Sequence, residues 1–418
     1  MSAAPPSEID PDQLLLSVIL DEDARQDPYP VYEQLRSRVG RWRNGFGGTV
    51  LTRYHDCVEA LRHPKLGRPE PDMPTAGAVT GTPRRRPADG DEVAMLFLNP
   101  PDHTRIRSLV SRAFTPRRVE ELRPAIARLL DPILEQLADQ GGGNVVTDLA
   151  VPFPVAVISE LLGVPRDGNE HIAPLVHDMT ALIDAALDEE GRSRGEAAAL
   201  QVAEYFVSLA AEKRRSPDGK MFSDLIEVES AGDRLSEAEL IGNTMLLYAA
   251  GFETTSNLIG NGLWLLLRHP EQLRRLQADP SLVSPAVLEM LRHDSPVQLN
   301  LRAVLEPVEL FGTAWQRGDT FVILQGAGNH DPAAYLEPDR FDVGRFTSDA
   351  PPPLSFGWGA HHCLGAHLAR AEGEIVFGAL AQRFSSIEVE RSSLTGGTPR
   401  FRPSFTLRGL DSLPVRVN

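Results

Sequence analysis

The stretch Phe356-Gly-Trp-Gly-Ala-His-His-Cys-Leu-Gly365 decides how the chain is read. It places a single cysteine, Cys363, in a glycine-rich loop. Behind it, from Leu364 to about Arg383, runs a helical pattern with Leu368, Ala371, Ile375, Ala379 and Leu380 on one apolar stripe. A cysteine just ahead of a helix start meets free backbone N–H groups and the positive end of the helix dipole. Both favour the thiolate, the form that ligates metals. Gly357, Gly359 and Gly365 lack side chains, so a large flat group can come close to the backbone, and Phe356 is placed to shield the sulfur from water. On these residues alone three readings stand. Cys363 is an inert buried thiol, or a zinc ligand with His361, His362 and His367, or the ligand of a flat cofactor. The zinc set has adjacent ligands rather than the usual looped spacing.

Working outward, three further stretches carry chemistry. In Asn99-Pro-Pro-Asp-His-Thr-Arg-Ile-Arg107, Pro101 suits a helix start, and His103 and Arg107 lie four apart on one helix face. Such a pair suits a cofactor with two carboxylates, although a surface salt-bridge face has the same pattern. Ser236-Glu-Ala-Glu239 forms a capping box, and helical character continues to Arg268 ahead of Pro270. That is about 33 residues, or roughly 50 Å, enough to cross a domain. In its middle, Ala250-Gly-Phe-Glu-Thr-Thr255 sets polar Glu253 and Thr254 in apolar surroundings. Gly251 costs about 1 kcal/mol in a helix interior. Thr254 can bond back to the Ala250 carbonyl, and a loosened turn with a hydroxyl and a carboxyl can hold water and relay protons. A long core helix with a tolerated glycine reads the same way. Lastly, Glu289 and Arg292 are opposite charges three apart on one helix face.

The spacing Phe-x-x-Gly-x-His-x-Cys-x-Gly resembles the haem-thiolate signature of the cytochrome P450 family, and the other stretches resemble that family's motifs in the same order. The resemblance implies a mainly α fold with small β-sheets: one large triangular helical domain with haem b between the long central helix and the cysteine loop. Cys363 is then the axial ligand. His103, Arg107, Arg302 and His361 match the haem propionate contacts, with Asn99 where Asp is usual. Ala250, Gly251, Phe356, Gly359 and Gly365 match positions around the haem. Glu253 and Thr254 match the acid–Thr pair that delivers protons for O–O scission. Relatives that use peroxide on fatty acids carry Arg-Pro there, so dioxygen-dependent monooxygenation is expected. Phe252 stands where close relatives often have His. Glu289 and Arg292 match a buried structural pair completed by an arginine of a Pro-x-Arg-Phe stretch, here Arg340. Val297 to Leu301, Val297 and Leu299 among them, and Phe405 in the Ser404–Leu407 turn are expected at the substrate pocket. The stretch Asn257–Gly262 with Leu266–Leu273 is similar to bacterial members that tailor polyketides and macrolides.

The remaining composition bounds the partners. A net charge of −16 argues against general nucleic-acid binding. Two cysteines, Cys57 and Cys363, far apart in sequence, offer no disulfide framework and point to a reducing, cytoplasmic setting; Cys57 reads as a small core residue. Leu14–Leu20 is too short for a membrane span, so no membrane anchor is expected. Residues 1 to about 11 read as disordered and 12–418 as one domain. Helices are expected over Pro28–Arg38, Tyr54–Leu61, 119–139, 149–163 and 168–215, the last with a charged break at Asp188–Arg194. A hairpin is expected over Arg41–Thr52, strands over Val304–Leu310 and Thr320–Leu324, and β-like segments over Ile387–Glu390 and Phe401–Val417. The Pro/Gly-rich 66–96 loop with Arg84-Arg85-Arg86 is expected over the substrate pocket, and the triplet reads as a solvated run or a contact for an acidic substrate or carrier protein. Arg105, Arg112, Arg117 and Arg118 form a local basic patch that suits an acidic ferredoxin, fed by an NAD(P)H-dependent reductase. Three functions compete: a monooxygenase that hydroxylates or epoxidises an apolar small molecule, a haem-thiolate enzyme performing oxidative coupling or desaturation, and a non-redox zinc- or ligand-binding protein.

Overall fold

The computed structural model describes residues 10–70, 73, 94–184, 187–228 and 235–418. Its helices are α1 (Pro11–Leu20), α2 (Glu22–Gln26), α3 (Tyr29–Arg38), α4 (Tyr54–Arg62), α5 (Asp102–Val110), α6 (Pro116–Asp139), α7 (Pro152–Leu162), α8 (Arg166–Thr180), α9 (Glu189–Arg215), α10 (Met221–Val228), α11 (Glu237–Arg268), α12 (Pro270–Ala278), α13 (Val283–His293), α14 (Gln325–Gly328) and α15 (Ala366–Arg383). The strands are β1 (Arg41–Arg43), β2 (Gly48–Leu51), β3 (Leu66–Gly67), β4 (Gly142–Asn144), β5 (Leu299–Val304), β6 (Val308–Leu310), β7 (Thr313–Trp315), β8 (Thr320–Leu324), β9 (Ile387–Val389) and β10 (Pro414–Val417). The expected class, mainly helical with small sheets, holds.

Helix α11 sets the layout. The Ser236 hydroxyl accepts the Glu239 N–H, and the Glu239 carboxylate accepts the Ser236 N–H at 2.7 Å, the reciprocal box read from the sequence. Its 32 residues make it about 48 Å long. From Thr255 to Leu266 every residue is buried, as befits a helix enclosed on all sides. It packs against α7, α9, α13 and α15. The largest core cluster joins these helices through Phe153, Phe252, Leu263, Met290 and Phe377. A side chain at Gly262 would put its Cβ 2.6 Å from the Phe377 ring, so this glycine lets α11 and α15 approach closely. That contact matters because α15 follows the Cys363 loop.

The largest sheet runs β1-β2-β8-β5-β3. The expected hairpin is β1–β2, turned at Gly47 with φ 92°, a conformation that favours glycine. Strand β2 pairs parallel with β8, and β5 pairs antiparallel with β8. The alternation of β5 sends Asn300 and Arg302 to one face and Leu299 and Leu301 to the other.

Several expectations shift. Asp188 is a cap rather than a break: its carboxylate accepts the Gly191 N–H at 2.8 Å and α9 runs on through Arg194. The 168–215 segment divides earlier, after α8. The strand expected over Val304–Leu310 is two, β5 and β6, and β5 begins at Leu299. Of Phe401–Val417 only Pro414–Val417 is a strand, with isolated bridges Val297–Leu407 and Phe401–Leu410. At the N-terminus Asp10 caps α1 at Pro11; residues 1–9 and Arg84–Arg86 lie outside the described residues. Among the described residues no single helix is long and apolar enough to cross a membrane.

Candidate active site

The cysteine loop is built by its backbone. The Cys363 N–H donates to the Phe356 carbonyl at 2.8 Å, and the His362 N–H to the Gly359 carbonyl at 3.1 Å. Gly357 and Gly359 take φ of 63° and 71°. A Cβ on Gly359 would lie 2.5 Å from the Leu61 carbonyl, so any side chain there would push the loop off α4. Among the described residues no atom beyond its chain neighbours lies within 4 Å of where a Gly365 Cβ would be, so the backbone there is open to approach. Phe356 is half-buried against the main core, and its main-chain oxygen rather than its ring holds Cys363. Cys363 is solvent-accessible, yet the surrounding loop desolvates it and raises its thiol above the ordinary range. The Gly365 N–H and the Arg107 charge pull the other way and do not prevail. The helix-end effect expected from the sequence is therefore outweighed; a bound metal would deprotonate the sulfur outright.

Beside this loop three arginines and two histidines converge. His103 and Arg107 come from α5, Arg302 from β5, His361 from the cysteine loop, and Arg68 from just beyond β3. The His103 and His361 rings are 4.2 Å apart. Burial and then Arg107, Arg68 and Arg302 lower His103 to about 4; burial and then Arg68, Arg302, His103 and Arg107 lower His361 to about 2. Burial alone lowers Arg302 to about 10. No acidic group appears among these causes. His103 Nε2 and Arg302 Nη2 are buried without hydrogen-bond partners among the described residues. Buried donors normally find acceptors, so this set fits a ligand that brings two carboxylates. Arg107 also donates from Nη2 to the His362 carbonyl at 2.6 Å, tying α5 to the cysteine loop. Arg68 was not legible in the sequence. Asn99 holds it, accepting the Arg68 N–H at 2.8 Å and donating to the Arg68 carbonyl at 2.9 Å. An aspartate there would lack the second bond.

On α11, Ala250 is exposed in the middle of a core helix, so this face borders open space. Thr254 donates to the Ala250 carbonyl at 2.9 Å, as expected. The space beside Gly251 is taken by Ile158, 2.8 Å from its notional Cβ, so this glycine serves a close helix crossing with α7. Glu253 is only 4% exposed and both its oxygens are engaged. Arg402 Nη2 lies 2.7 Å from Oε1, and His177 Nδ1 lies 3.1 Å from Oε2. Burial raises this carboxyl, but the His177 hydrogen bond and the Arg402 charge outweigh it and hold the pKa below the usual range. Asn257 and Asn261 continue the stripe at four-residue intervals; Asn257 accepts from Arg402, and Asn261 donates to the Arg408 carbonyl. Arg402 and His177 carry no motif, and no sequence signal pointed to them.

Other expectations are corrected. Glu289 and Arg292 are fully buried and doubly bonded, at 2.7 and 2.9 Å. Their third partner is Arg345, whose Nε is 3.1 and 3.0 Å from the two Glu289 oxygens. Arg340 instead makes an exposed pair with Glu337. Leu299 and Phe405 pack into a second core cluster with Leu15, Val18 and Tyr32; Val297 is half-buried. Among the described residues no three His, Cys, Asp or Glu side chains gather to hold a metal, so the zinc set is not assembled. In the basic patch, Arg105 pairs with Glu239 and Arg117 with Glu121, while Arg112 and Arg118 are exposed.

The family model described as Cytochrome P450 matches residues 79–396. The chain is 39% identical over 408 residues to Vitamin D(3) 25-hydroxylase of Pseudonocardia autotrophica, covering 94% of each. It is 34% identical over 378 residues to Polyketide biosynthesis cytochrome P450 PksS of Bacillus subtilis, covering 89% of this chain and 91% of that one. The solved structure of P450BioI in complex with hexadec-9Z-enoic acid ligated acyl carrier protein superposes with a TM-score of 0.86 at 32% identity, covering 95% of this chain and 99% of that one.

Proposed function

The chain belongs to the cytochrome P450 family, a family of haem-thiolate monooxygenases, and on that premise we propose that Cys363 would ligate the iron of haem b in an enzyme that uses dioxygen to hydroxylate or epoxidise an apolar small molecule. The observation that carries this reading is the acid-free cluster of Arg68, His103, Arg107, Arg302 and His361 beside an accessible cysteine. When bound, a thiolate-ligated haem supplies the activation of dioxygen.

The chain's own residues do the rest. His103 Nε2 and Arg302 Nη2 would donate to the cofactor's carboxylates, and Arg107 would couple that grip to the cysteine loop through its bond to the His362 carbonyl. Thr254 holds a hydroxyl at the open face of α11, and Glu253 is the acid of the proton path. Residues 12–418 act as one catalytic domain. A polyketide- or macrolide-like substrate is supported by the Asn257–Gly262 resemblance and by a relative named for polyketide biosynthesis. Electrons come from a ferredoxin and its NAD(P)H-dependent reductase, in the cytoplasm.

The test is the absorbance spectrum of the purified protein, reduced under carbon monoxide. Thiolate ligation shifts the Soret band to the position typical of thiolate-bound haem, and Cys363→Ser abolishes that shift. A haem-free protein, or a haem band indifferent to Cys363→Ser, ends the reading. Spin-state titration with apolar candidates then identifies the substrate class.

A further inference from the structure

Helix α9 has a second face that the core does not use. Its buried residues, among them Ala198, Val202 and Phe206, lie on one side. On the opposite side an exposed ridge follows the alternating three- and four-residue steps of a coiled-coil seam: Glu190, Ser193, Ala197, Leu200, Glu204, Val207, Ala211 and Arg214. Two of the five large apolar side chains exposed among the described residues stand on it, Leu200 at 69% and Val207 at 46%. Scattered singly they would need no explanation; two turns apart on one ridge they make a continuous seam.

The ridge is complementary to itself. In a two-fold dimer each contact between one residue and another occurs twice. Two copies of α9 laid antiparallel, level at Val202, set Glu190 against Arg214, Ser193 against Ala211, Ala197 against Val207 and Leu200 against Glu204. Glu189 and Arg215, exposed beside the seam, also come level. Sliding one copy by a heptad sets Glu190 against Val207 or Arg214 against Ala197 and loses the end pairs, so charge selects this register. Glu204 stands as a polar residue near the middle of the seam, a feature that fixes register at a cost in stability. In the single chain the end charges are held by exposed pairs: Arg194 Nη1 is 3.6 Å from Glu190, and Arg214 Nη1 is 3.1 Å from Glu237. Such pairs are weak, so exchanging them for partners across the seam costs little.

We propose that this face of α9 receives a second copy of the chain, antiparallel, with Leu200 and Val207 near its centre and a Glu190–Arg214 pair at each end. From Glu190 to Arg214 the seam spans about 36 Å at 1.5 Å per residue. A helix face about 10 Å wide over that length buries roughly 700 Å² over both partners, short of the ~1,000 Å² of a stable dimer. The dimer is therefore reversible and forms at high protein concentration.

Sedimentation velocity of the holoenzyme over a concentration series is the test. The weight-average sedimentation coefficient rises with concentration, and Leu200→Lys abolishes the rise. Glu190→Arg or Arg214→Glu alone weakens association about tenfold, because the two-fold axis opposes like charges twice. An equimolar mixture of those two variants recovers association, since each changed side chain then meets an opposite charge. Unchanged thermal unfolding of the variants reports an intact fold. A chain that stays monomeric throughout the series overturns the proposal. So does association that survives Leu200→Lys, which runs through another face, and so does a mixture that associates no better than its components, which excludes the antiparallel register.

Discussion

At the scale of single residues, Glu372 on α15 is a buried acid that the site chemistry does not use. It is 1% exposed, and Oε2 finds no partner among the described residues. Burial pushes its pKa well above the ordinary carboxylate value, so the folded protein keeps it neutral while the unfolded chain ionises it. Below the unfolded pKa both states hold the proton and the acid adds no pH dependence. Above it, folding stability falls by about 1.4 kcal/mol per pH unit until the folded pKa is reached. Glu372→Gln removes that slope. Denaturant unfolding of the two proteins should therefore diverge between pH 5 and pH 8, with the variant gaining as pH rises. A constant difference across that range would mean that Glu372 is charged in the folded protein.

At the scale of elements, α13 and α11 give separable outcomes. Arg345→Ala leaves the fully buried Glu289 with one cation fewer; breaking a buried pair of this kind costs about 3–5 kcal/mol. Arg340→Ala breaks an exposed pair and costs less than about 1 kcal/mol. Chemical denaturation of both variants checks the assignment, and equal losses would refute it. The motif carried the reading to the right neighbourhood but to the wrong arginine. Glu337 adopts a positive φ of 46°, and the chain that follows winds around so that Arg345 caps the Leu336, Glu337 and Arg340 carbonyls while reaching Glu289. Spacing within one helix, as in Glu289-x-x-Arg292, is legible; a partner delivered by a folded loop is not. For the same reason Cys363, His103 and Thr254 could be read from local pattern, whereas Arg402 reaches Glu253 across most of the C-terminal half. On α11 itself, Thr254→Ala removes the hydroxyl bonded to the Ala250 carbonyl. NAD(P)H consumption should persist while product falls and peroxide rises. Full coupling in that variant would assign proton delivery elsewhere.

At the scale of the whole molecule, net charge and local charge oppose each other. A chain of net charge −16 repels an acidic electron donor at long range. Productive docking therefore depends on a local positive surface. The arginines read as a patch in the sequence are not equivalent in the fold. Glu239 and Asp102 neutralise Arg105, and Glu121 neutralises Arg117. Exposed Arg112 and Arg118 remain as candidate docking charges for the ferredoxin proposed above, and they flank the junction of α5 and α6. The α5 side of that junction reaches the cysteine loop through Arg107. Arg112→Glu combined with Arg118→Glu should thus slow reduction by a ferredoxin about tenfold at low ionic strength, within the range of electrostatic steering. The effect should shrink as salt shortens the screening length to about 10 Å at 0.1 M. Dithionite, a small reductant that needs no docking surface, should reduce both proteins at the same rate. Stopped-flow reduction at two salt concentrations distinguishes the outcomes. A slower dithionite reaction would mean that the substitutions disturb the cofactor site, and an unchanged ferredoxin rate would move the docking surface away from the α5–α6 junction.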